Sequence, residues 1–197
     1  MALGVKHRTL GLSGEEELIG NGISFCAVCD GAFYTGQDVA MIGGGNSALQ
    51  EALLLSEVCN KVTIVQNLAF FTGEQKLAEA LAEKPNVEVL FSTVVGEYIT
   101  ENGALTGLKL RSEIDGSESR IAVDGAFLAV GLKPENENFA ALANLNNWGY
   151  FDSAEDCCTA TAGVFVAGDC RSKHIRQVVT AAADGAIAAM AACRYLD

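Results

Sequence analysis

The sequence predicts an α/β fold: a three-layer domain of nucleotide-binding type that carries an antiparallel β-ribbon. A strand over Asp38–Ile42 runs into a glycine-rich loop and then into apolar residues at helical spacing. A second strand over Lys61–Val65 closes a βαβ unit of about 30 residues. Between residues 94 and 123 the apolar residues alternate instead, and Asn102-Gly103 and Asp115-Gly116 supply the turn chemistry of hairpins. Half of the 197 residues are hydrophobic, so there is material for a core and wholesale disorder is excluded.

The elements follow in order. Residues 1–21 show little periodicity, and the acidic run Glu15-Glu16-Glu17 reads as a solvated surface turn. Cys26 and Cys29 come next, ahead of the first clear strand. Behind that strand, Ala48, Leu49, Ala52, Leu53, Leu55 and Val58 mark one face of a helix. Helix signals resume over residues 74–83 until Pro85-Asn86 stops them, and Val87–Leu90 is a short strand. After the ribbon, residues 126–131 and 163–169 read as buried strands, and Val178–Leu196 as a long Ala-rich helix.

Charge and hydropathy narrow the functional classes. There are 25 acidic residues against 13 basic ones, a net charge of −12, which repels phosphate backbones and argues against a nucleic-acid partner. The first residues hold no apolar run of signal-peptide length. The weakly polar stretch 181–193 is broken by Asp184 and is too short to span a bilayer, so no membrane role is expected. The chain therefore reads as cytosolic, where its seven cysteines are expected to be reduced, buried or catalytic.

Three motifs carry chemistry. In Gly43-x-Gly45-x-x-Ala48, the first glycine permits a tight turn, the second a close approach of backbone to a pyrophosphate, and the alanine close helix packing. The helix N-terminus behind the loop offers free N–H groups to phosphates. The strand that selects the cofactor ends in Val65-Gln66-Asn67, with neither an acid for a ribose diol nor a base for a 2′-phosphate. The second motif is Cys26-x-x-Cys29. Two thiols at this spacing can close a small disulfide, and the adjacent Asp30 can move a proton to or from a thiolate. A zinc site would need a second ligand pair. Cys157-Cys158 are adjacent and His7 and His174 isolated, so redox chemistry is favoured and no metal is expected. Cys59, Cys157, Cys158, Cys170 and Cys193 are expected to be buried and inert. The third motif is Gly168-Asp169 at the end of an apolar run, followed by Arg176-Gln177. It puts a carboxylate suited to a polyol hydroxyl at the edge where open α/β sheets bind ligands.

Taken in order, these stretches resemble the low-molecular-weight thioredoxin reductases of the pyridine nucleotide–disulfide oxidoreductase class. The resemblance is carried by Gly14-Glu15-Glu16, Cys26 to Gly31, Gly43 to Ala48 with Glu51-Ala52, and Val130-Gly131 with Pro134. It continues through Gly168-Asp169 and Arg176-Gln177 to Arg194-Tyr195-Leu196. It implies a Rossmann-like domain over residues 12–133, flanked by FAD-domain segments at 1–11 and 134–197. It implies that Cys26 exchanges with a protein disulfide such as thioredoxin, that Cys29 faces FAD, and that Asp30 is the acid. It further implies that Gly43, Gly45, Asn46, Ser47 and Ala48 form the pyridine-nucleotide loop. Gly168 and Asp169 would hold the ribityl chain of FAD, Arg176 and Gln177 would lie near its ring, and the protein would be a homodimer.

The sequence departs from that family twice. The family's basic cluster falls on Val65, Gln66, Asn67 and Phe71, so NADPH or NADH loses its cationic ligands, and a ferredoxin-fed or oxygen-linked variant stays open. The glycine motif that would hold the ADP half of FAD is not found, so the expectation is a fragment, with a non-catalytic nucleotide-domain remnant as the alternative.

Overall fold

The computed structural model describes residues 1–197, which divide into two compact units: Arg8–Gly131, and Met1–His7 with Leu132–Asp197. The elements of the second unit are β1 (Lys6–His7), β10 (Leu132–Lys133) and α5 (Val178–Leu196). The first unit contains α1 (Glu15–Leu18), β2 (Ile23–Ser24), α2 (Ala27–Asp30), β3 (Asp38–Ile42), α3 (Asn46–Ser56) and β4 (Lys61–Val65). It continues with α4 (Gln75–Ala82), β5 (Val87–Leu90), β6 (Thr93–Glu101), β7 (Ala104–Ser112), β8 (Glu118–Ala122) and β9 (Gly125–Leu128).

Unit 8–131 is built on a parallel sheet of order β2-β9-β3-β4-β5. Side chains alternate across a strand, and both faces of β3 are buried. Val39 and Met41 pack with Ala48, Leu49, Ala52 and Leu55 of α3 and with Leu81 of α4. Ala40 and Ile42 pack on the other face with Val95, Tyr98, Leu105, Leu108 and Leu110 of the ribbon. Helices, parallel sheet and the β6-β7-β8 antiparallel sheet thus form three layers, as the sequence predicts. The β6–β7 turn places Asn102 at φ 52° and Gly103 at φ 81°, the two left-handed residues a type I′ hairpin requires.

The acidic turn is the first correction. Glu15 is not solvated: it is buried, and its carboxylate accepts the backbone N–H groups of Leu10 (2.8 Å), Gly11 (2.7 Å) and Leu12 (3.3 Å). The Tyr98 hydroxyl donates to it as well, at 2.8 Å. Four donors replace the lost water, which is what makes a buried carboxylate tolerable. Burial, reinforced by the hydrogen bond to Glu15 and its charge, pushes the Tyr98 phenol far above its ordinary range.

The second unit has a small apolar centre of Ala143, Phe151, Val166 and Cys170. The strand expected over 163–169 does not form. Phe165 makes one isolated bridge with Cys158, and the chain then turns through a 3-10 segment, Gly168–Cys170. Gly168 sits at φ 79°, a left-handed conformation that turns the chain out of the extended run. Helix α5 has the predicted bounds, yet Asp184 is its single buried residue. Its carboxylate accepts from Gly168 N (3.0 Å), from Arg171 Nε (2.9 Å) and Nη2 (3.2 Å), and from Lys173 Nζ (2.8 Å). A polar clamp rather than an apolar stripe therefore anchors this helix within the unit. Burial raises the Asp184 pKa, but the bonds from Arg171, Lys173 and Gly168 outweigh it and hold the carboxyl down at about 2. No helix is long and apolar enough to cross a membrane.

Candidate functional site

The strongest candidate lies in unit 8–131, where the chain leaves β2. Cys26 and Cys29 are joined as a disulfide, with Cα atoms 5.3 Å apart. Cys26 is the N-cap of α2, and its sulfur accepts the Cys29 N–H at 3.2 Å. A cap position in extended conformation followed by one helical turn brings residues three apart to bonding distance, which is the local reason for the spacing. Cys29 is exposed, Cys26 is half-buried, and Val28 and Phe33 project beside them at 82% and 78% exposure.

Asp30 belongs to the same turn. The hydroxyl of Ser24 donates to Asp30 Oδ2 at 2.6 Å and accepts the Cys26 N–H at 3.1 Å. Ser24, which the motif reading passed over, therefore ties the carboxylate to the disulfide's own backbone. Tyr34 lies close by, its phenol pushed up by burial and then by the charges of Asp30 and Asp124. Its ring meets Phe127 edge-on at 5.3 Å.

The glycine loop stands at the end of β3. Gly43 N donates to Val65 O at 2.9 Å and turns the chain out of the sheet at φ 129°. A Cβ there would lie 2.5 Å from Ala129 O, and at Gly44 one would lie 2.5 Å from the side chain of Gln66. At Gly45 the nearest atom would be Thr72 Oγ1 at 3.7 Å, so open space meets the backbone where the motif demands it. Ala48 is fully buried against the sheet. Asn46 is committed locally: its Oδ1 accepts Glu74 N at 2.7 Å and its Nδ2 donates to Glu74 Oε1 at 3.2 Å. Ser47 follows it in the first turn of α3. Gln66 is buried and donates to Phe70 O at 3.0 Å.

In the other unit, Gly168 and Asp169 form the 3-10 turn before α5. Asp169 Oδ1 is buried and has no hydrogen-bond partner, a costly arrangement that a ligand hydroxyl would relieve. Arg176 donates from Nε to Asp169 O at 3.4 Å and stacks 4.1 Å over the Tyr150 ring. Gln177 is the N-cap of α5, and its N–H donates to Thr180 Oγ1 at 3.1 Å. An orphaned acceptor beside a held guanidinium fits a polyol and an electron-rich ring edge.

The remaining cysteines divide. Cys59, Cys157 and Cys170 are buried as expected, but Cys158 is half-buried and Cys193 exposed. Cys193 lies on α5, which buries Asp184 alone. Burial, and then Asp38, push the Cys59 thiol up to about 11, which makes it inert.

A parallel α/β sheet with a glycine loop, and a redox-spaced disulfide one strand earlier, define the class of protein. The chain belongs to the family described as pyridine nucleotide-disulphide oxidoreductase, which it matches over residues 1–185. Across all 197 residues it is 41% identical to a thioredoxin reductase of Listeria monocytogenes and 36% identical to one of Bacillus subtilis. It spans 62% of the length of each of these curated relatives. The crystal structure of Lactococcus lactis thioredoxin reductase superposes with a TM-score of 0.85 at 32% identity, covering 98% of this chain and 64% of that one.

Proposed function

We propose that this chain carries the disulfide-exchange centre of a thioredoxin reductase-like flavoprotein disulfide reductase. The observation that carries the reading is the Cys26–Cys29 disulfide at the cap of α2, with Asp30 held against it through Ser24. Once the pair is reduced, the Cys26 thiolate is favoured by the Cys29 N–H and by its cap position. It attacks one sulfur of a protein disulfide such as that of thioredoxin; a mixed disulfide forms and the partner's second sulfur leaves as a thiolate. Cys29 then attacks Cys26, the intramolecular bond re-forms, and the partner departs as a dithiol with two electrons and two protons. Asp30 is the group placed to move a proton during these steps.

FAD, when bound, supplies the two-electron relay that re-reduces the disulfide. Gly168, Asp169, Arg176 and Gln177 are the residues that would hold it, and the orphaned Oδ1 of Asp169 supports a hydroxyl-bearing chain there. A second reading concerns the donor. The family's basic cluster falls here on Val65, on Gln66, which is buried and donates to Phe70 O, and on Asn67 and Phe71. A donor without a 2′-phosphate, whether NADH or a ferredoxin-like protein, is the reading this favours over NADPH. A reducing cytosol suits such a thiol couple.

The test is a thiol count on the full chain. Mild dithiol should release the Cys26 and Cys29 thiols, and mild oxidant should remove them again; Cys29→Ser should abolish the cycle. A parent chain that never re-forms the bond would sink the reading. Flavin absorbance retained through gel filtration after soaking with FAD, and lost in Asp169→Ala, tests the cofactor separately.

A further inference from the structure

A second carboxylate reaches the disulfide turn from another element. Glu51 projects from α3, and its Oε2 accepts the Ala27 N–H at 3.0 Å. Ala27 is buried and is the first residue of α2, so its N–H is one of the orphan donors at that helix start. The amide belongs to the residue directly after Cys26. The end of α2 lies close on α3, since a Cβ on Gly31, the C-cap of α2, would meet Leu55 of α3 at 3.2 Å. The couple is thus flanked by carboxylates on two sides: Asp30 on its own turn, bonded through Ser24, and Glu51 from α3.

These interactions differ between the two redox states. The closed disulfide carries no charge, and Glu51 then satisfies the Ala27 amide. When the S–S bond opens, thiolate character develops at Cys26, favoured by the Cys29 N–H and disfavoured by any nearby negative charge. Resting on the disulfide-exchange reading above, we infer that Glu51 is a positioning residue that sets the redox poise of the Cys26–Cys29 couple. It holds the first turn of α2 through Ala27 while its charge opposes the Cys26 thiolate, and so keeps the couple reducing.

The experiment equilibrates the full chain with dithiothreitol at about pH 8, near the ordinary thiol pKa. The dithiol loses two electrons and two protons and closes to its cyclic disulfide, while the Cys26–Cys29 bond breaks to two thiols. Glu51→Gln keeps an acceptor for the Ala27 N–H and removes the charge. The expected result is a shift of up to about tenfold toward the reduced pair, about 30 mV for a two-electron couple. Reduced Glu51→Gln should also react faster with iodoacetamide than the parent at the same pH. A variant that equilibrates and alkylates like the parent overturns the inference, because a purely structural role predicts that outcome. If Glu51→Gln does not fold, the parent decides: raising the salt concentration should screen the carboxylate and move its equilibrium toward the reduced pair, and no movement overturns the inference. A parent pair that never exchanges reversibly removes the functional reading and this inference together; a reversible parent with an unmoved variant removes the inference alone.

Discussion

Asp184 is the residue on which the attachment of α5 turns, and it has a definite pH signature. Its carboxyl is held at about 2, below the ordinary 3.8, so the folded state binds its proton less readily than the unfolded chain does. The stabilisation is fully present above about pH 4 and is lost as pH falls toward 2. Asp184→Asn should lack this acid-sensitive increment. At neutral pH it should be less stable by about 3–5 kcal/mol, because the buried Arg171 and the partly buried Lys173 lose their shared counter-charge. Urea unfolding followed by circular dichroism at several pH values reads both effects; equal acid sensitivity in parent and variant would refute the argument. Ser24→Ala should cost about 1–2 kcal/mol in the same assay, since it strips a donor from Asp30 and an acceptor from the Cys26 N–H. The sequence singles out Cys26, Cys29, Asp30 and Asp169 because motif spacing or the end of an apolar run marks each of them. It does not single out Asp184, which reads as a mere interruption of an Ala-rich run, because the partners at 171 and 173 arrive along a loop path that no periodicity encodes. Glu15 escaped for a related reason: an acidic run is ordinarily solvated, and the three amides that bury this one exist only once residues 10–12 have turned around it.

At the level of elements, the glycine loop separates a structural requirement from a binding one. Gly43 has φ 129° and faces Ala129 O, so Gly43→Ala is strained whatever the loop binds and should cost about 2–3 kcal/mol. Gly45 has φ −87° and open space in front of it, so Gly45→Ala should change stability by no more than about 0.5 kcal/mol. The added methyl nevertheless occupies the approach to the N-terminus of α3. Chemical denaturation measures the first difference, and thermal shift with NADH or NADPH the second; any stabilisation by a dinucleotide should vanish in Gly45→Ala while the unliganded midpoint stays put. Equal destabilisation of the two variants would contradict the geometry. The elements around this loop were the most legible part of the sequence, because β3, β4 and α3 each bury a periodic face in a continuous core. The segment 163–169 has the same apolar texture but pairs through one isolated bridge, and composition alone does not distinguish a ladder from a single extended crossing.

At the scale of the molecule, the two units differ in how they hold themselves together. Unit 8–131 is contiguous in sequence and contains both large apolar clusters, one on each face of its parallel sheet. The other unit is discontinuous, gathers only Ala143, Phe151, Val166 and Cys170 at its centre, and anchors its longest helix through one carboxylate. Apolar burial is the dominant favourable contribution to folding, and a continuous segment with its own core can fold alone. Residues 8–131 expressed separately should therefore unfold in one cooperative transition, with the Cys26–Cys29 bond able to open and close as in the full chain. In hydrogen exchange on the full chain, the amides of β3, β4 and β9 should outlast those of α5, because each strand lies between two buried layers while α5 exposes nearly all of its length. The distinguishing outcome is the order of exchange. Protection of α5 equal to that of β3 would mean that the two units open as one, and a non-cooperative or aggregating 8–131 would mean that the parallel sheet does not stand on its own core.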